Sequence, residues 1–206
     1  MAQAIDLRVI ELLAARLCHD FISPVAAISN GAELLADEEP EFVQDAIALV
    51  GDSARKAGRR LQFYRFAYGF SGGGLAGPPP HQLAAEFFAE TAIECDYRAA
   101  VRELSLEQQK LACAMLAVAG EGLPRGGRLV LSAGAVGPAI EASGQGAGPL
   151  PQVRAALTLA VPTAELTSRT IGGYFAGLLA AALGWQLTVE DQPGGFRLST
   201  IGASAD

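Results

Sequence analysis

The chain is short of the side chains on which metal and cofactor chemistry usually rests. Its 206 residues hold two histidines, three cysteines and a single asparagine, Asn30. Cys18, Cys95 and Cys113, taken with His19 and His81, show no metal-ligand spacing. No second histidine lies near Cys18 in sequence to activate it, so a reduced, partly buried thiol is expected there. A surplus of positive charge is also missing: the net charge is −7, which argues against a nucleic-acid backbone as the main partner. Asp6, Arg8 and Glu11 interrupt the start of the chain, so no signal peptide is expected. The uncharged run from Thr170 to Val189 reaches membrane length. It is broken by Gly184, however, and reads as a buried helix ending in a strand rather than a membrane span. The expectation is a cytoplasmic protein.

What is present concentrates near the start. Ile10, Ala14, Leu17, Phe21, Pro24, Ile28, Gly31 and Leu35 follow one another at alternating spacings of four and three, the pattern of a bundle seam. With Ala14, Phe21, Ile28 and Leu35 at position a and the others at d, His19 falls at f, farthest from the seam. A core histidine belongs at a or d; this one faces solvent. It stands in the run Leu17-Cys18-His19-Asp20-Phe21-Ile22-Ser23-Pro24-Val25. An acid directly after it, a hydroxyl four residues on and a proline five on resemble the surroundings of the phospho-accepting histidine of two-component signalling proteins.

Neighbours at helical spacing suggest roles. Arg16 and Ser23, three residues before and four after His19, share its stripe. Arg16 can reach a phosphoryl oxygen there, and Ser23 can orient a water or a partner group. Ile22, beside the stripe, is an apolar contact for a partner or a bundle-flank residue. Asp20 is turned by about 100° from His19, so a bond to the imidazole is not assured. If its carboxylate reached Nδ1, it would leave Nε2 free and more nucleophilic; the alternative is a solvated acid at g. Pro24 removes a backbone donor at a cost of about 3 kcal/mol, which predicts a bend that frees carbonyls in the turn holding the histidine.

After the turn Asp37-Glu38-Glu39-Pro40, a second seam runs through Val43, Ile47, Val50, Ala54, Ala57, Leu61, Tyr64 and Tyr68. Two seams of equal length joined by a short loop make an antiparallel helical hairpin. Leu13, Val25, Leu49, Phe63 and Phe66 flank the seams and need cover. Pairing of two hairpins into a four-helix homodimer would supply it; burial against the chain's own second half is the competing explanation. The basic group Arg55, Lys56, Arg59 and Arg60 suits either an acidic partner surface or a solvated helix face.

Glycines 72–74 and prolines 78–80 mark a linker over residues 71–80, dividing a hairpin unit at 1–70 from a second unit at 81–206. The second unit reads as a helix over 81–90, a strand near 92–97, a helix opened by the capping box Ser105-Leu106-Glu107-Gln108, and strands at 128–133 and 155–161 around a loose run over 134–149. A helix over about 166–183 and a hairpin of strands at 186–190 and 196–200 follow. The fold class is therefore α+β, a helical hairpin followed by a two-layer domain of helices and mostly antiparallel strands.

This order resembles the ATP-binding domain of histidine kinases. That domain holds its metal through asparagines on the first long helix, where this chain reads Leu111-Ala112-Cys113-Ala114-Met115-Leu116-Ala117-Val118-Ala119, without one oxygen ligand. Mg²⁺ needs hard oxygen donors, so no kinase-type metal site assembles there. Ala142-Ser143-Gly144-Gln145-Gly146, with Glu141 beside it, lacks the aspartate of an adenine-binding box and reads as a glycine loop. Gly172, Gly173 and Gly177 fit remnants of a nucleotide lid or close packing equally well.

Together with the turn Leu123-Pro124-Arg125-Gly126-Gly127, these features resemble the ChpT family of bacterial histidine phosphotransferases over nearly the whole chain. The resemblance implies a homodimer with a degenerate ATP-binding domain that binds no ATP. It implies transfer from the receiver domain of a CckA-type hybrid kinase to response regulators of the CtrA and CpdR type, with Mg²⁺ supplied by the receiver. A kinase with a divergent nucleotide site and a non-enzymatic docking protein are the alternatives.

Overall fold

A computed structural model describes residues 6–36, 43–69 and 77–202. Helices α1 (Leu7–Ala36) and α2 (Val43–Tyr68) pack side by side as the hairpin. The turn at 37–40 and glycines 72–74 of the linker lie outside the described residues; Pro80 opens helix α3 (Pro80–Phe88), where its missing N–H costs nothing. There follow β1 (Ile93–Tyr97), α4 (Leu106–Glu121), β2 (Gly127–Ala133), β3 (Pro138–Ser143), α5 (Pro151–Leu157), α6 (Ile171–Ala182), β4 (Trp185–Gln192) and β5 (Gly195–Gly202). The sheet order is β1-β2-β3-β5-β4, with β1 and β2 parallel and the other neighbours antiparallel. The α+β class expected from the sequence is the class observed.

Helix α4 is the centre of the molecule. Its capping box forms as expected: Gln108 N–H donates to Ser105 Oγ at 3.3 Å and Ser105 N–H to Gln108 Oε1 at 3.0 Å. From Gln109 to Ala119 every residue is buried, because α4 lies between α2 and α3, α6 and the sheet. A helix apolar on all sides belongs in such a place.

Three elements differ from the sequence reading. The run 134–149 contains β3, whose Ile140 and Ala142 point into the core while glycines at either end disguise its alternation. Residues 155–161 are not a strand. Pro151, at the first position of α5, starts a helix whose Val153, Ala156 and Leu157 share a buried face, and the chain leaves it through Leu159 at φ 57°. Helix α6 begins at Ile171 rather than 166, because the Thr170 hydroxyl accepts the Thr167 N–H at 2.9 Å and holds a turn ahead of it. Gly177 shows why α6 needs small residues: a Cβ there would lie 2.6 Å from the Leu157 carbonyl of α5. Close packing accounts for it without a nucleotide lid.

The chain's second half takes more of the hairpin's apolar surface than the dimer reading allowed. Phe63 is fully buried and stacks on Phe87 with ring centroids 4.1 Å apart; Phe66 is partly buried in the same core. Burying a phenylalanine contributes about 2–3 kcal/mol. Leu13 packs with Val9, Leu166 and Ile171. Lys110, buried on α4, donates to the Gly69 carbonyl at 2.5 Å. The hairpin thereby rests on α3, α4 and α6. Val25 and Leu49 stay exposed, as do Ile10, Ile47 and Leu61 of the expected seams. On length and composition alone α1 could cross a membrane, yet its Arg16 and Asp20 are both engaged by other parts of this chain.

Candidate functional site

His19 sits mid-helix on α1 with 82% of its side chain exposed. It lies at the mouth of a cleft of about 400 Å³ between the hairpin and the second half, which Arg16, Asp20, Glu121, Ser168 and Arg169 also line. Asp20 is the hub on the inner side. Its Oδ1 is 3.5 Å from His19 Nδ1, an electrostatic approach longer than a good hydrogen bond. Oδ2 accepts the Tyr64 hydroxyl at 2.6 Å and Arg16 Nε at 3.4 Å. With 14% of its side chain exposed, Asp20 is not the solvated acid of the alternative reading.

Pro24 lies inside an unbroken helix, and its consequence is visible one turn back. Having no N–H, it leaves the Asp20 carbonyl without its helical donor, and Arg60 Nη1 of α2 donates to that oxygen at 3.0 Å. The freed carbonyl is thus what fastens the histidine's turn to α2. Arg55 and Arg59 of the same basic group pair with Asp52 and Glu90, so these three arginines are largely spent within the chain.

Arg16 departs from the expected exposed stripe. It turns inward, donating to Glu121 Oε1 at 2.5 Å and to the Ser168 carbonyl at 3.3 Å. Burial opposes its charge, but Glu121 and Asp20 outweigh that and hold the guanidinium more firmly protonated than usual. Glu121, at the end of α4, keeps 39% of its side chain open; even so, burial raises its carboxyl above the usual range, against the pull of Arg16. Burial, then the bond to Asp20, raises the Tyr64 hydroxyl, which stays a donor at any physiological pH. Ser23 and Ile22 are exposed, Ile22 at 65%.

Sequence reasoning missed Tyr64, Glu121, Ser168 and Arg169. Tyr64 carried a signal, since a tyrosine on an apolar seam needs a partner for its hydroxyl. The other three arrive from distant positions. Cys18 is exposed, not partly buried, because it stands beside His19 on the outer side of α1, while burial pushes the Cys95 thiol up to about 12. Glu141, beside the glycine loop, pairs with Arg197 on β5 at 3.2 Å.

Residues 80–194 match the family described as the histidine phosphotransferase C-terminal domain. The chain belongs to that family. Over 123 residues it is 41% identical to the protein phosphotransferase ChpT of Brucella abortus (strain 2308), an alignment that spans 58% of this chain and 58% of that relative's length. The structure of a bacterial phosphotransferase superposes with a TM-score of 0.79 at 29% identity, covering 97% of this chain and 98% of that one. For a histidine phosphotransferase family member the two halves divide simply: the matched domain supplies Glu121, Ser168 and Arg169, and the hairpin supplies His19.

Proposed function

We propose that this protein is a histidine phosphotransferase of a multistep phosphorelay, carrying a phosphoryl group on His19 between receiver domains. The observation that carries the reading is the presentation of His19: almost fully exposed on a helix whose inner side is bonded to the rest of the chain. An incoming aspartyl phosphate can reach the ring without rearrangement. Nδ1 faces Asp20, which leaves Nε2 as the nucleophile. Its lone pair forms the new P–N bond as the P–O bond to the receiver's aspartate breaks, and the aspartate leaves with that electron pair. Asp20 stabilises the positive charge on the phosphorylated ring, Tyr64 and Arg60 hold the turn, and Ser23 positions the incoming group. Charge stabilisation and positioning carry such transfers, with Mg²⁺ supplied by the receiver. A second receiver's aspartate then reverses the steps.

The receivers follow the family resemblance: one from a CckA-type hybrid kinase and acceptors of the CtrA and CpdR type, met through Ile22 and the His19 stripe. The chain takes no ATP, a reading supported by the oxygen-free and fully packed Leu111–Ala119 segment. Homodimerisation is supported by Ile47 and Leu61 on α2 and Ile10 and Val25 on α1, exposed and apolar on faces that the second half leaves open. His19 lies on the other side of α1 from Ile10, so both copies stay accessible. Bonding of Arg16 and Asp20 within the chain, together with the soluble relay chemistry, supports a cytoplasmic location without a membrane span.

The test offers the protein a phosphorylated receiver, then ATP alone, each repeated with His19→Gln. Transfer from the receiver should occur and fall at least ~1000-fold in the variant, as expected for loss of a nucleophile, while ATP alone labels nothing. Transfer that survives His19→Gln would overturn the reading.

A further inference from the structure

The cleft beside His19 has a charge problem that the network above does not solve. A phosphoryl group on the imidazole brings about two negative charges, and the lining already holds the carboxylates of Asp20 and Glu121. Arg16, the cation nearest in sequence, is bonded to both of them and to the Ser168 carbonyl. Its position is set by those three partners, and its charge is matched before any phosphoryl group arrives. Arg169 is different. It follows Ser168, whose carbonyl is 3.3 Å from the Arg16 guanidinium, so its backbone stands one residue from a contact with a side chain of the His19 helix. Its side chain is exposed, lines the same cleft as His19, and makes no hydrogen bond or ion pair among the described residues. The segment carrying it is held in place: Thr167 N–H donates to Thr170 Oγ1 at 2.9 Å, and Thr170 N–H donates to the Thr167 carbonyl at 3.1 Å.

We propose that Arg169 is the phosphoryl-binding residue of this site, closing over the cleft to donate to the oxygens of the group carried by His19. The inference rests on the phosphotransfer reading and deepens it: the second half does more than brace the hairpin, because it supplies the cation that the His19 helix has committed elsewhere. A guanidinium suits the task, since its planar fork matches phosphoryl oxygens and keeps its charge at any physiological pH.

A donor without a protein partner isolates this contact from receiver docking. With phosphoramidate, Nε2 forms a P–N bond to phosphorus as the donor's own P–N bond breaks and ammonia departs with its electron pair. Loading of the full chain is followed by phosphorus NMR for wild type, Arg169→Gln, Arg169→Lys, Arg169→Ala and His19→Gln. Arg169→Gln should load about tenfold more slowly with an unchanged melting temperature. Arg169→Lys should lie between it and wild type, and added guanidinium should restore part of the rate to Arg169→Ala. Equal loading of wild type and Arg169→Gln overturns the role of Arg169 while leaving His19 as the phosphoryl carrier. Wild type that fails to load, or His19→Gln that loads as well, overturns the phosphotransfer reading and this inference with it.

Discussion

Helices α1 and α4 are both rich in apolar residues, yet α1 buries three of its thirty residues and α4 eleven of its sixteen. One displays a side chain; the other holds the molecule together. Helix α4 is packed on every side from Gln109 to Ala119. Helix α1 keeps its outer side free for His19 and is fixed from the inner side by the packing of Val9, Leu13, Leu17 and Phe21 together with a few polar bonds. The turn that carries His19 is therefore held by bonds from Tyr64 and Arg60, and by Glu121 through Arg16, rather than by enclosure.

The sharpest way to break the comparison is to place the same amide on both helices. Leu116→Asn puts an unpaired polar group at a fully buried position and should cost about 4 kcal/mol or prevent folding. Ile22→Asn, 65% exposed, should stay within about 0.5 kcal/mol. Similar losses in urea denaturation would show that α1 is covered in a way the single chain does not reveal. The outer face can be tested next. Ile47→Lys combined with Leu61→Lys should convert a sedimenting dimer to a monomer while the circular dichroism spectrum is retained; a variant that still dimerises removes these faces from the interface.

A smaller effect is expected at the proline. Arg60→Met leaves the Asp20 carbonyl without a donor and should cost about 1–3 kcal/mol. In a Pro24→Ala background, residue 24 supplies its own N–H, so the same substitution should cost less. An additive double-mutant cycle would refute the coupling between Arg60 and Pro24.

The least effect, and one with a definite sign, concerns Glu121. Its carboxyl is raised in the folded chain, first by burial and against the pull of Arg16, so folding favours the protonated form. That contribution is complete below the unfolded value, about 4.3 for a glutamate, and is lost as pH rises through the higher folded value. Glu121→Gln removes it. The wild type's stability relative to the variant should therefore decline as pH rises from about 4.3; a constant or rising difference in chemical denaturation would contradict the assignment.

Much of this was legible along the chain, element by element. The spacing of Leu17, Phe21 and Pro24 placed His19 outside, and Ser105 with Gln108 marked the start of α4 to the residue. The strand β3 and helix α5 were not legible, since short segments between glycines and prolines carry too few periods to separate a strand from a helix. Arg16 was misread for a different reason. Helical spacing places a side chain on a face but says nothing of what lies beyond it, and only the arrival of Glu121 turned that arginine inward.

The sequence by itself determined the exposure of His19, the α+β class and the absence of side-chain oxygens from Leu111 to Ala119, because each follows from local periodicity or residue chemistry. Only the tertiary structure decided how the site is built. Asp20, Tyr64, Arg60, Glu121 and Arg169 lie on four separate segments, and a polar group's partner is fixed by which segments the hydrophobic core brings together.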